Sequence, residues 1–381
     1  MKIAGLFAGI GGIEAGFAKA GFETALLCEN WAPAVCVLRT QYPNALYHDN
    51  VTSLNKLPND IRLITAGFPC QDLSQAGLTK GLNGKQSTLV SHVFRLLDEN
   101  RIDSVLLENV PFMLHLNHGK AVESILTALE DRGYSWAYRT INSLSYLPQR
   151  RERVFIFATK TRQNPEDILL SVEFSELKID TDFKQFAHGF YWTEGLRGLG
   201  WAVNAVPTLK KGSTVGIPSP PAVIKVSGNI IKPDIRDAER LQGFKANWTS
   251  SIEKNFRSSL RWSLVGNAVT VPVAEFIAKQ MLSPGVYDAD RDRDFPASKK
   301  WPSAARGRKG KRIAVEISTF VSHQNLNLES FLKFEGTKLS EKATSGFLKR
   351  AQKSSLRFHP QFLEKVKSHL DTYTATQQTL F

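Results

Sequence analysis

Lys2-Ile3-Ala4-Gly5-Leu6-Phe7-Ala8-Gly9-Ile10-Gly11-Gly12 opens the chain with an apolar run that leads directly into a glycine-rich loop. The apolar run predicts a β-strand over residues 2–7, and the pattern after the loop predicts a helix over residues 13–20. Glycines suit a tight turn that lets the backbone approach a ligand, with a helix N-terminus behind it. The order of strand, glycine loop and helix predicts the start of a doubly wound α/β sheet.

The first 160 residues continue to alternate short apolar runs with helical patterns, which is typical of a doubly wound, mostly parallel sheet. Further strands are predicted over residues 23–28, 63–66, 104–107 and 154–158, and helices over residues 32–41, 88–100 and 121–131. Open sheets of this class bind ligands at the carboxyl ends of their strands. Side chains that directly follow a predicted strand are therefore the functional candidates.

The pattern weakens after residue 160 and predicts three parts. Residues 1–160, completed by residues 259–282, are expected to form the ligand-binding and catalytic domain. Residues 161–258 are rich in Gly, Pro, Ser and Lys, and predict a smaller irregular domain that carries recognition loops. Residues 283–381 are predicted to form a basic C-terminal extension. Its aromatic and aliphatic content favours a packed unit, which could grip phosphates, dock a partner or be a modestly ordered appendage.

Charge and cysteine content limit the class of protein. The 381 residues carry a formal net charge of +13, which favours a polyanionic partner or, equally, a solvated basic surface without one. Seven cations lie among residues 299–312, a stretch without an acid: Lys299, Lys300, Arg306, Arg308, Lys309, Lys311 and Arg312. Three cysteines without paired spacing predict neither a disulfide framework nor a metal site. No stretch approaches ~18 apolar residues, so a cytoplasmic protein without membrane contact is expected.

Acidic and aromatic residues follow the second predicted strand and predict a small-molecule site. Glu29 lies twenty residues after Gly9, where a carboxylate can accept hydrogen bonds from both hydroxyls of a ribose. Trp31 could lie against an adenine ring or in the core, and Asp49 could accept a hydrogen bond from an adenine amino group. The glycine loop does not match G-x-G-x-x-G, so a dinucleotide is not favoured.

A candidate nucleophile and acid follow two neighbouring strands. Cys70 lies in Gly67-Phe68-Pro69-Cys70-Gln71-Asp72-Leu73-Ser74, just past an apolar strand, and Glu108 closes the next strand. A buried glutamate tends to keep its proton, so Glu108 could protonate a ring nitrogen while Cys70 attacks the ring carbon. The arginines of Gln149-Arg150-Arg151-Glu152-Arg153 could favour the thiolate of Cys70, or could be a solvated strand edge.

Seven short motifs occur in one order along the chain. They are Phe7-Ala8-Gly9-Ile10-Gly11-Gly12, Glu29-Asn30-Trp31, Gly67-Phe68-Pro69-Cys70-Gln71, Glu108-Asn109-Val110, Gln149-Arg150-Arg151-Glu152-Arg153, Arg240-Leu241-Gln242-Gly243-Phe244 and Gly266-Asn267-Ala268-Val269. Together they closely resemble the ordered motifs of the bacterial DNA cytosine-5 methyltransferases over about residues 1–282. The resemblance implies a Rossmann-like methyltransferase fold in which the last motif folds back beside the glycine loop.

The resemblance implies S-adenosyl-L-methionine as the cofactor. It would be contacted by Phe7, Ala8, Gly9, Ile10, Gly11, Gly12, Glu29, Asn30, Trp31, Asp49, Asn50, Gly67, Pro69, Leu89, Asn267 and Ala268. Cys70 would add to C6 of a cytosine flipped out of double-stranded DNA while Glu108 engages N3 and the amino group. Arg153 would hold the cytosine O2 and Arg151 would support the site or a phosphate. DNA contacts are implied for Gln71, Ser74, Thr208 and Leu209.

The sequence leaves other functions open. A eukaryotic branch of the same family methylates transfer RNA, and its loop reads Pro-Pro-Cys-Gln-Pro-Phe-Thr; the loop around Cys70 differs and favours DNA. A catalytically inactive DNA-binding regulator is a further alternative, but it would not need Cys70, Glu108, Arg151 and Arg153 together. A monomer is expected, and a cognate restriction endonuclease could act separately on the same DNA.

Overall fold

A computed structural model of the chain describes residues 1–69, 89–176, 181–212, 220–296, 301–323 and 326–378. These residues form two compact units. The first comprises Met1–Asn142, Glu152–Glu176 and Val269–Ser322, and the second comprises Ser143–Arg151, Leu177–Ala268 and His323–Phe381. Residues 283–381, which the sequence suggested as one extension, are divided between the two units. Cys70, Gln71 and Ser74 lie outside the described residues.

The first unit is built on a ten-stranded mixed sheet. Its strands lie in the order Asp292–Arg293, Lys311–Val315, Ala304–Arg308, Ser135–Asn142, Glu152–Thr159, Ser104–Asn109, Ile61–Gly67, Lys2–Leu6, Glu23–Cys28 and Leu46–His48. The last five strands in this order are parallel to one another, and we call them the parallel half. The first five are antiparallel to their neighbours, and we call them the antiparallel half.

The strands of the parallel half follow the sequence prediction closely. Each predicted strand begins and ends within two residues of the observed one, and only Leu46–His48 was not predicted. Strand Ser104–Asn109 is buried along its whole length, as expected for a strand covered on both faces. The parallel arrangement sends all five carboxyl ends to one edge of the sheet, which we call the catalytic edge.

The antiparallel half corrects one part of the prediction. The strand predicted over residues 154–158 is Glu152–Thr159, and it runs antiparallel to Ser104–Asn109. Strand Ser135–Asn142, which was not predicted, pairs antiparallel with it because the short connection over residues 143–151 reverses the chain. The doubly wound α/β class is correct, but the sheet is mixed rather than mostly parallel.

Helices cover the sheet of the first unit. They are Gly12–Lys19, Ala32–Gln41, Leu89–Glu99, Lys120–Asp131, Pro165–Leu169 and Val271–Leu282, with short 3-10 helices at Pro111–Leu114, Leu116–Gly119 and Ala289–Arg291. Helix Val271–Leu282 packs on helix Gly12–Lys19, although more than 250 residues separate them. Gly16 permits this approach, since a Cβ there would lie 2.6 Å from both the Ala274 Cβ and the Val271 carbonyl oxygen.

The second unit holds a five-stranded antiparallel sheet and a two-stranded parallel one. The larger sheet has the order Ala202–Val203, His188–Phe190, Ala222–Ile224, Ile230–Lys232 and Thr337–Lys338, and the smaller pairs Gln149–Arg150 with Val206–Pro207. Its helices are Ile235–Leu241, Leu260–Asn267, Leu328–Phe331, Glu341–Gln352 and Pro360–Gln378, with 3-10 helices at Ser143–Ser145 and Ser250–Lys254. Aromatic residues of the C-terminal helices, Phe347 and Phe362, complete its core against Phe190.

Among the described residues, none of the helices combines the length and the apolar character that a membrane crossing requires.

Candidate functional site

The glycine loop after the first strand adopts an unusual backbone. Phe7, Gly9 and Gly11 have positive φ angles of 54°, 57° and 80°, and the Gly11 amide donates to the Ala8 carbonyl at 2.8 Å. Positive φ is uncommon for a bulky side chain such as that of Phe7, and such strained positions cluster at ligand sites. The loop therefore turns sharply at the catalytic edge, directly before helix Gly12–Lys19.

The Glu29 carboxylate joins the end of the second strand to this loop. Its Oε2 accepts a hydrogen bond from the Gly9 amide at 2.8 Å, and its Oε1 accepts from the amides of Asn30 and Trp31 at 3.0 and 2.8 Å. A carboxylate has about four acceptor positions, so three amide donors leave capacity for a ligand hydroxyl. The structure thus brings together the loop and the carboxylate that the sequence predicted as partners.

Asp49 and Asn50 lie beside Glu29 at the same edge. Strand Leu46–His48 pairs with the second strand, and the Glu29 amide donates to the His48 carbonyl at 3.1 Å. The Asp49 side chain is 94% exposed and therefore available to a ligand. The Asn50 side-chain oxygen accepts hydrogen bonds from Thr52. Trp31 is half-buried at the N-cap of helix Ala32–Gln41, so it is neither fully in the core nor free in solvent.

The chain returns to the glycine loop at Val269. A Cβ at Gly12 would overlap the Val269 carbonyl, so the backbone after the Gly266-Asn267-Ala268 motif lies directly against the loop. Asn267 is exposed at the end of helix Leu260–Asn267, and Ala268 is buried. Of the remaining predicted cofactor contacts, Ala8 and Gly67 are half-buried, Ile10 is buried, Pro69 is exposed and Leu89 packs partly against the core.

Glu108 stands at the catalytic edge next to the segment that leads to Cys70. It lies opposite Gly67 in the parallel pairing, and its Oε2 is 3.2 Å from the position of a Cβ at Gly67. The Asn109 amide group donates to the Phe68 carbonyl at 3.0 Å and fixes the start of that segment. Cys70 follows Phe68 by two positions and lies outside the described residues, so the structure gives the approach to it but not its position.

Arg153 forms an ion pair with Glu108. The Arg153 Nε lies 3.0 Å from the Glu108 Oε1, and the two side chains are only 15% and 10% exposed. Burial lowers the pKa of the Arg153 guanidinium from its usual value, and the negative charge of Glu108 opposes that shift. A buried pair of this kind depends on both partners, because either one alone would be an uncompensated charge. The sequence predicted that Glu108 keeps its proton. In the structure, the Arg153 guanidinium lies directly beside the Glu108 carboxyl group.

Arg151 has a different environment from Arg153. It is 1% exposed, and its guanidinium donates to the backbone carbonyls of Leu209, Gly266 and Ala268 at 3.0, 3.3 and 2.6 Å. These bonds hold two segments of the second unit together. Arg151 is thus placed to support the backbone around the Gly266-Asn267-Ala268 motif, and its buried head group is not presented to a phosphate.

Thr208 and Leu209 were predicted to contact DNA. The Thr208 hydroxyl donates to the Arg150 carbonyl at 2.8 Å, and the Thr208 carbonyl accepts from the Tyr191 hydroxyl. Leu209 is 2% exposed, and its amide donates to the Gln149 side chain at 3.0 Å. Leu209 therefore contributes to the core of the second unit rather than to an exposed surface. Gln71 and Ser74 lie outside the described residues.

Two residues of the site region were missed by sequence reasoning. The Tyr42 hydroxyl donates to the Gly11 carbonyl at 2.9 Å, and its ring fills the space where a Gly11 side chain would stand. Glu14 is 2% exposed beneath the loop, and the Thr65 hydroxyl donates to its Oε1 at 3.1 Å. Burial raises the pKa of the Glu14 carboxyl to about 7. An acid in the first turn of an apolar helix was the available signal for Glu14; Tyr42 gave none.

Comparisons with known proteins identify the family. Residues 1–197, which are more than half of the chain, match the family described as C-5 cytosine-specific DNA methylase. The Type II methyltransferase M2.BsuMI of Bacillus subtilis (strain 168) is 40% identical over 96% of this chain and 97% of that protein. The Type II methyltransferase M.Bsp6I of Bacillus sp. (strain RFL6) is 27% identical over 74% of this chain and 100% of that protein.

A solved structure supports the fold alone. The S. pombe Dnmt2 methyltransferase superposes with a TM-score of 0.55 and 17% sequence identity, over 74% of this chain and 98% of that one. The family match and the 40% identical relative carry the assignment of function. The chain belongs to the C-5 cytosine-specific DNA methylase family and is a DNA cytosine-5-methyltransferase.

Proposed function

We propose that the protein transfers the methyl group of S-adenosyl-L-methionine to C5 of a cytosine flipped out of double-stranded DNA, within one short sequence. The observation that carries the proposal is the position of Glu108. Its carboxylate lies beside Gly67, three residues before Cys70, on the same sheet edge as Glu29 and the glycine loop. An acid, a nucleophile and a nucleoside-binding carboxylate are therefore expected along one edge.

The residues of the loop fit the cofactor. Glu29 is fixed by three backbone amides and keeps acceptor capacity for the ribose hydroxyls. A Cβ at Gly9 would meet nothing within 4 Å, so the loop has an open face. Trp31 would contact the adenine ring, and the exposed Asp49 would accept from its amino group. When bound, the cofactor supplies an electrophilic methyl group.

The chemistry at the base would fall to this chain's own side chains. The Cys70 thiolate would add to C6, and Glu108 would hold a proton at N3, which makes C5 electron-rich enough to take the methyl group. Loss of the C5 proton to a base and elimination of the Cys70 sulfur would then restore the aromatic ring. Arg153, paired with Glu108, would stabilise the cytosine O2, and Arg151 would act as a positioning residue.

A cytosine inside a duplex cannot be reached in this way, so it must leave the stack at a cost of a few kcal/mol. The relatives are Type II methyltransferases. We therefore also propose that a restriction endonuclease with the same target sequence acts separately from this chain.

The first test is expression in a methylation-deficient host, followed by mapping of 5-methylcytosine at single-base resolution. Wild-type protein should methylate cytosine within one short motif, and the Cys70→Ala variant should leave the genome unmodified. The variant should still bind the cofactor, which separates loss of chemistry from loss of fold. Unchanged turnover in Cys70→Ala would overturn the covalent mechanism.

A duplex that carries 5-fluorocytosine at the mapped position tests the covalent step directly. Fluorine cannot leave as a proton does, so the Cys70 adduct should persist and appear as a denaturation-resistant complex by mass spectrometry. No adduct from an enzyme that methylates the normal duplex would argue against the bond to C6. Methylation of transfer RNA alone would reassign the substrate.

A further inference from the structure

A cationic cavity of about 730 Å³ opens in the first unit, outside the site described above. It lies between the residues that follow strand Glu152–Thr159 and the hairpin of Ala304–Arg308 and Lys311–Val315. Six of its lining residues are cationic and one, Glu166, is acidic. The cations are Lys160, Arg162, Arg306, Arg308, Lys309 and Lys311.

The cavity lies at the edge of the sheet opposite the catalytic edge. Thr159, which lines it, pairs with Ser104 at the start of the neighbouring strand, whereas Glu108 pairs with Phe155 near the other end. Thr159 and Phe155 are four residues apart along the strand, which corresponds to roughly 13 Å at about 3.3 Å per residue. The lining residues beyond Thr159 continue away from Glu108. A ligand in this cavity is therefore separate from a cytosine at the catalytic edge.

Some of the cations hold the cavity in shape. The Arg306 guanidinium pairs with Asp292 and Glu166, with its Nε 3.0 Å from the Asp292 Oδ1. Arg312, on the same hairpin, pairs with Glu123 at 3.1 Å and lies over the Trp301 ring. Gly307 packs against Trp136, where a Cβ would collide with the indole. The base of the hairpin is thus fixed to the sheet.

Of the other five cations of the lining, Lys160 lies over the Tyr134 ring, and four are not held by an ion pair between described residues. Arg162, Arg308, Lys309 and Lys311 are exposed, and none of them forms an ion pair with an acid in the described part of the chain. The hairpin turns through Lys309 and Gly310, whose φ angles are 49° and 79°, as in the tight turns of two-residue hairpins. The turn therefore holds Lys309 between Arg308 and Lys311 in a short connection of defined conformation.

We propose that this cavity binds the phosphate backbone of a second segment of duplex DNA, distinct from the segment whose cytosine is methylated. Its lining offers hydroxyl, amide and cationic groups but no aromatic side chain. Bases of a single strand would need aromatic surfaces to stack on, whereas phosphate contacts need only cations and polar donors. The proposal rests on DNA as the substrate class and not on the roles of the catalytic residues. A second contact would keep the enzyme near further target sites on the same molecule.

The test compares two variants that lose the same charge. Arg308→Gln/Lys309→Gln/Lys311→Gln removes the three exposed charges of the hairpin and leaves the structural Arg306 and Arg312 in place. Lys342→Gln/Lys349→Gln/Lys353→Gln removes three cations from the region of helix Glu341–Gln352 in the second unit. Binding to a fluorescent duplex of about 12 base pairs and random sequence is measured against NaCl concentration. Melting temperature and cofactor binding check the fold of both variants.

The wild-type protein should bind two such duplexes per chain at low salt, and the hairpin variant one. The slope of log Kobs against log[NaCl] for the second duplex reports its phosphate contacts, at about 0.9 per contact, so three lost cations correspond to about 2 to 3 units. The control variant should retain two duplexes. One duplex per wild-type chain, or equal losses in both variants, would overturn the proposal. Displacement of the second duplex by millimolar pyrophosphate at constant ionic strength would assign the cavity to a small phosphate ligand instead.

Discussion

In the parallel half of the sheet, consecutive strands end at the same edge, and the residues after them form the candidate site. In the antiparallel half, strand direction alternates, and buried side chains such as Arg139 and Trp136 hold segments together that are distant in sequence. Glu29 and Glu108 belong to the first arrangement, whereas Arg139 and Trp136 belong to the second. Arg153, at the start of its antiparallel strand, reaches the catalytic edge through its ion pair with Glu108. Strand direction therefore separates the candidate catalytic site, in the parallel half, from the anchoring contacts of Arg139 and Trp136 in the antiparallel half.

The two halves also differ in which ionisable side chains they bury. Two carboxyl groups are buried in or against the parallel half: Glu108, which is paired with Arg153, and Glu14 on helix Gly12–Lys19, whose pKa burial raises to about 7. The antiparallel half buries the Arg139 guanidinium, which is always charged and is satisfied by backbone carbonyls. Substitution of Glu108 or Glu14 should therefore change activity or pH dependence, and substitution of Arg139 should change stability.

Glu108→Gln gives the largest expected effect and tests whether the catalytic edge carries the chemistry. The amide cannot give a proton to N3, so kcat should fall by about 10²- to 10⁴-fold in a methyl-transfer assay on the mapped target duplex. Asp131→Asn, an exposed change at the end of helix Lys120–Asp131, should leave kcat unaltered. A loss of less than fivefold in Glu108→Gln would mean that Glu108 only supports the structure.

The ion pair allows the chemical and structural roles of Glu108 to be separated. Glu108→Gln leaves Arg153 buried without its partner, which is expected to destabilise the unit by about 3 to 5 kcal/mol. The double variant Glu108→Gln/Arg153→Gln removes both charges and should recover much of that stability in urea unfolding. It should recover no activity. Recovery of both would show that the pair is structural.

Arg139→Met gives the largest expected effect in the antiparallel half. The guanidinium is fully buried and donates to the carbonyls of Leu169, Val172, Ser318 and Phe320 at 3.1, 2.6, 2.9 and 3.0 Å. Methionine fills similar space but leaves these carbonyls without donors, so the free energy of unfolding should fall by about 3 to 5 kcal/mol. Turnover per folded molecule should change far less than in Glu108→Gln.

The matched control for that change is Arg139→Lys. Lysine keeps the charge and three donors but lacks the planar fork that reaches several carbonyls at once. It should be intermediate in stability between the wild type and Arg139→Met in urea unfolding. Equal stability of all three proteins would show that the carbonyls find water as readily as the guanidinium, and that Arg139 does not anchor residues 316–322.

The same division limits what the sequence predicts. Strands of the parallel half are short apolar runs flanked by glycine loops and helices, so each is visible in its own local pattern. Glu29 and Glu108 were found because each follows such a run directly. Strands Ala304–Arg308 and Lys311–Val315 contain charged residues and pair with each other, and Ala304–Arg308 joins the sheet by pairing with Ser135–Asn142, more than 160 residues earlier. No local pattern carries that information.

Site residues that directly follow a predicted strand were predicted from the sequence. Site residues whose position depends on the packing of distant elements were missed. The bond between Glu29 and Gly9 joins two predicted residues. Tyr42 reaches Gly11 only because helix Ala32–Gln41 ends beside the loop. Arg151 and Arg153 are two residues apart in one motif, yet only the structure distinguishes the arginine on backbone carbonyls from the one on Glu108. Spacing alone cannot separate them.

Glu14→Gln tests the buried carboxyl group beneath the glycine loop. Its expected effect on stability is the smallest of these substitutions, because it is absent near pH 4.5 and appears only as the pH rises. Burial raises the pKa of Glu14 from about 4.5 to about 7, so the folded protein holds this proton more tightly than the unfolded chain does. The contribution of protonated Glu14 to the free energy of unfolding is fully present below pH 4.5. It falls as the pH rises from 4.5 to 7 and is lost above pH 7. At pH 8 the cost is about 3 kcal/mol, from 1.36 kcal/mol per pKa unit.

Glutamine resembles the protonated carboxyl at every pH. Because its amide does not ionise, the destabilisation that accompanies ionisation of Glu14 does not arise in this variant. Glu14→Gln should therefore match the wild type near pH 4.5 and exceed its free energy of unfolding by about 3 kcal/mol at pH 8, measured by urea unfolding across that range. Asp131→Asn, which is exposed, should show no such divergence. A constant difference between Glu14→Gln and wild type at all pH values would mean that the carboxyl stays in one protonation state. In that case the expected difference in pH dependence between the two halves would have no support from Glu14.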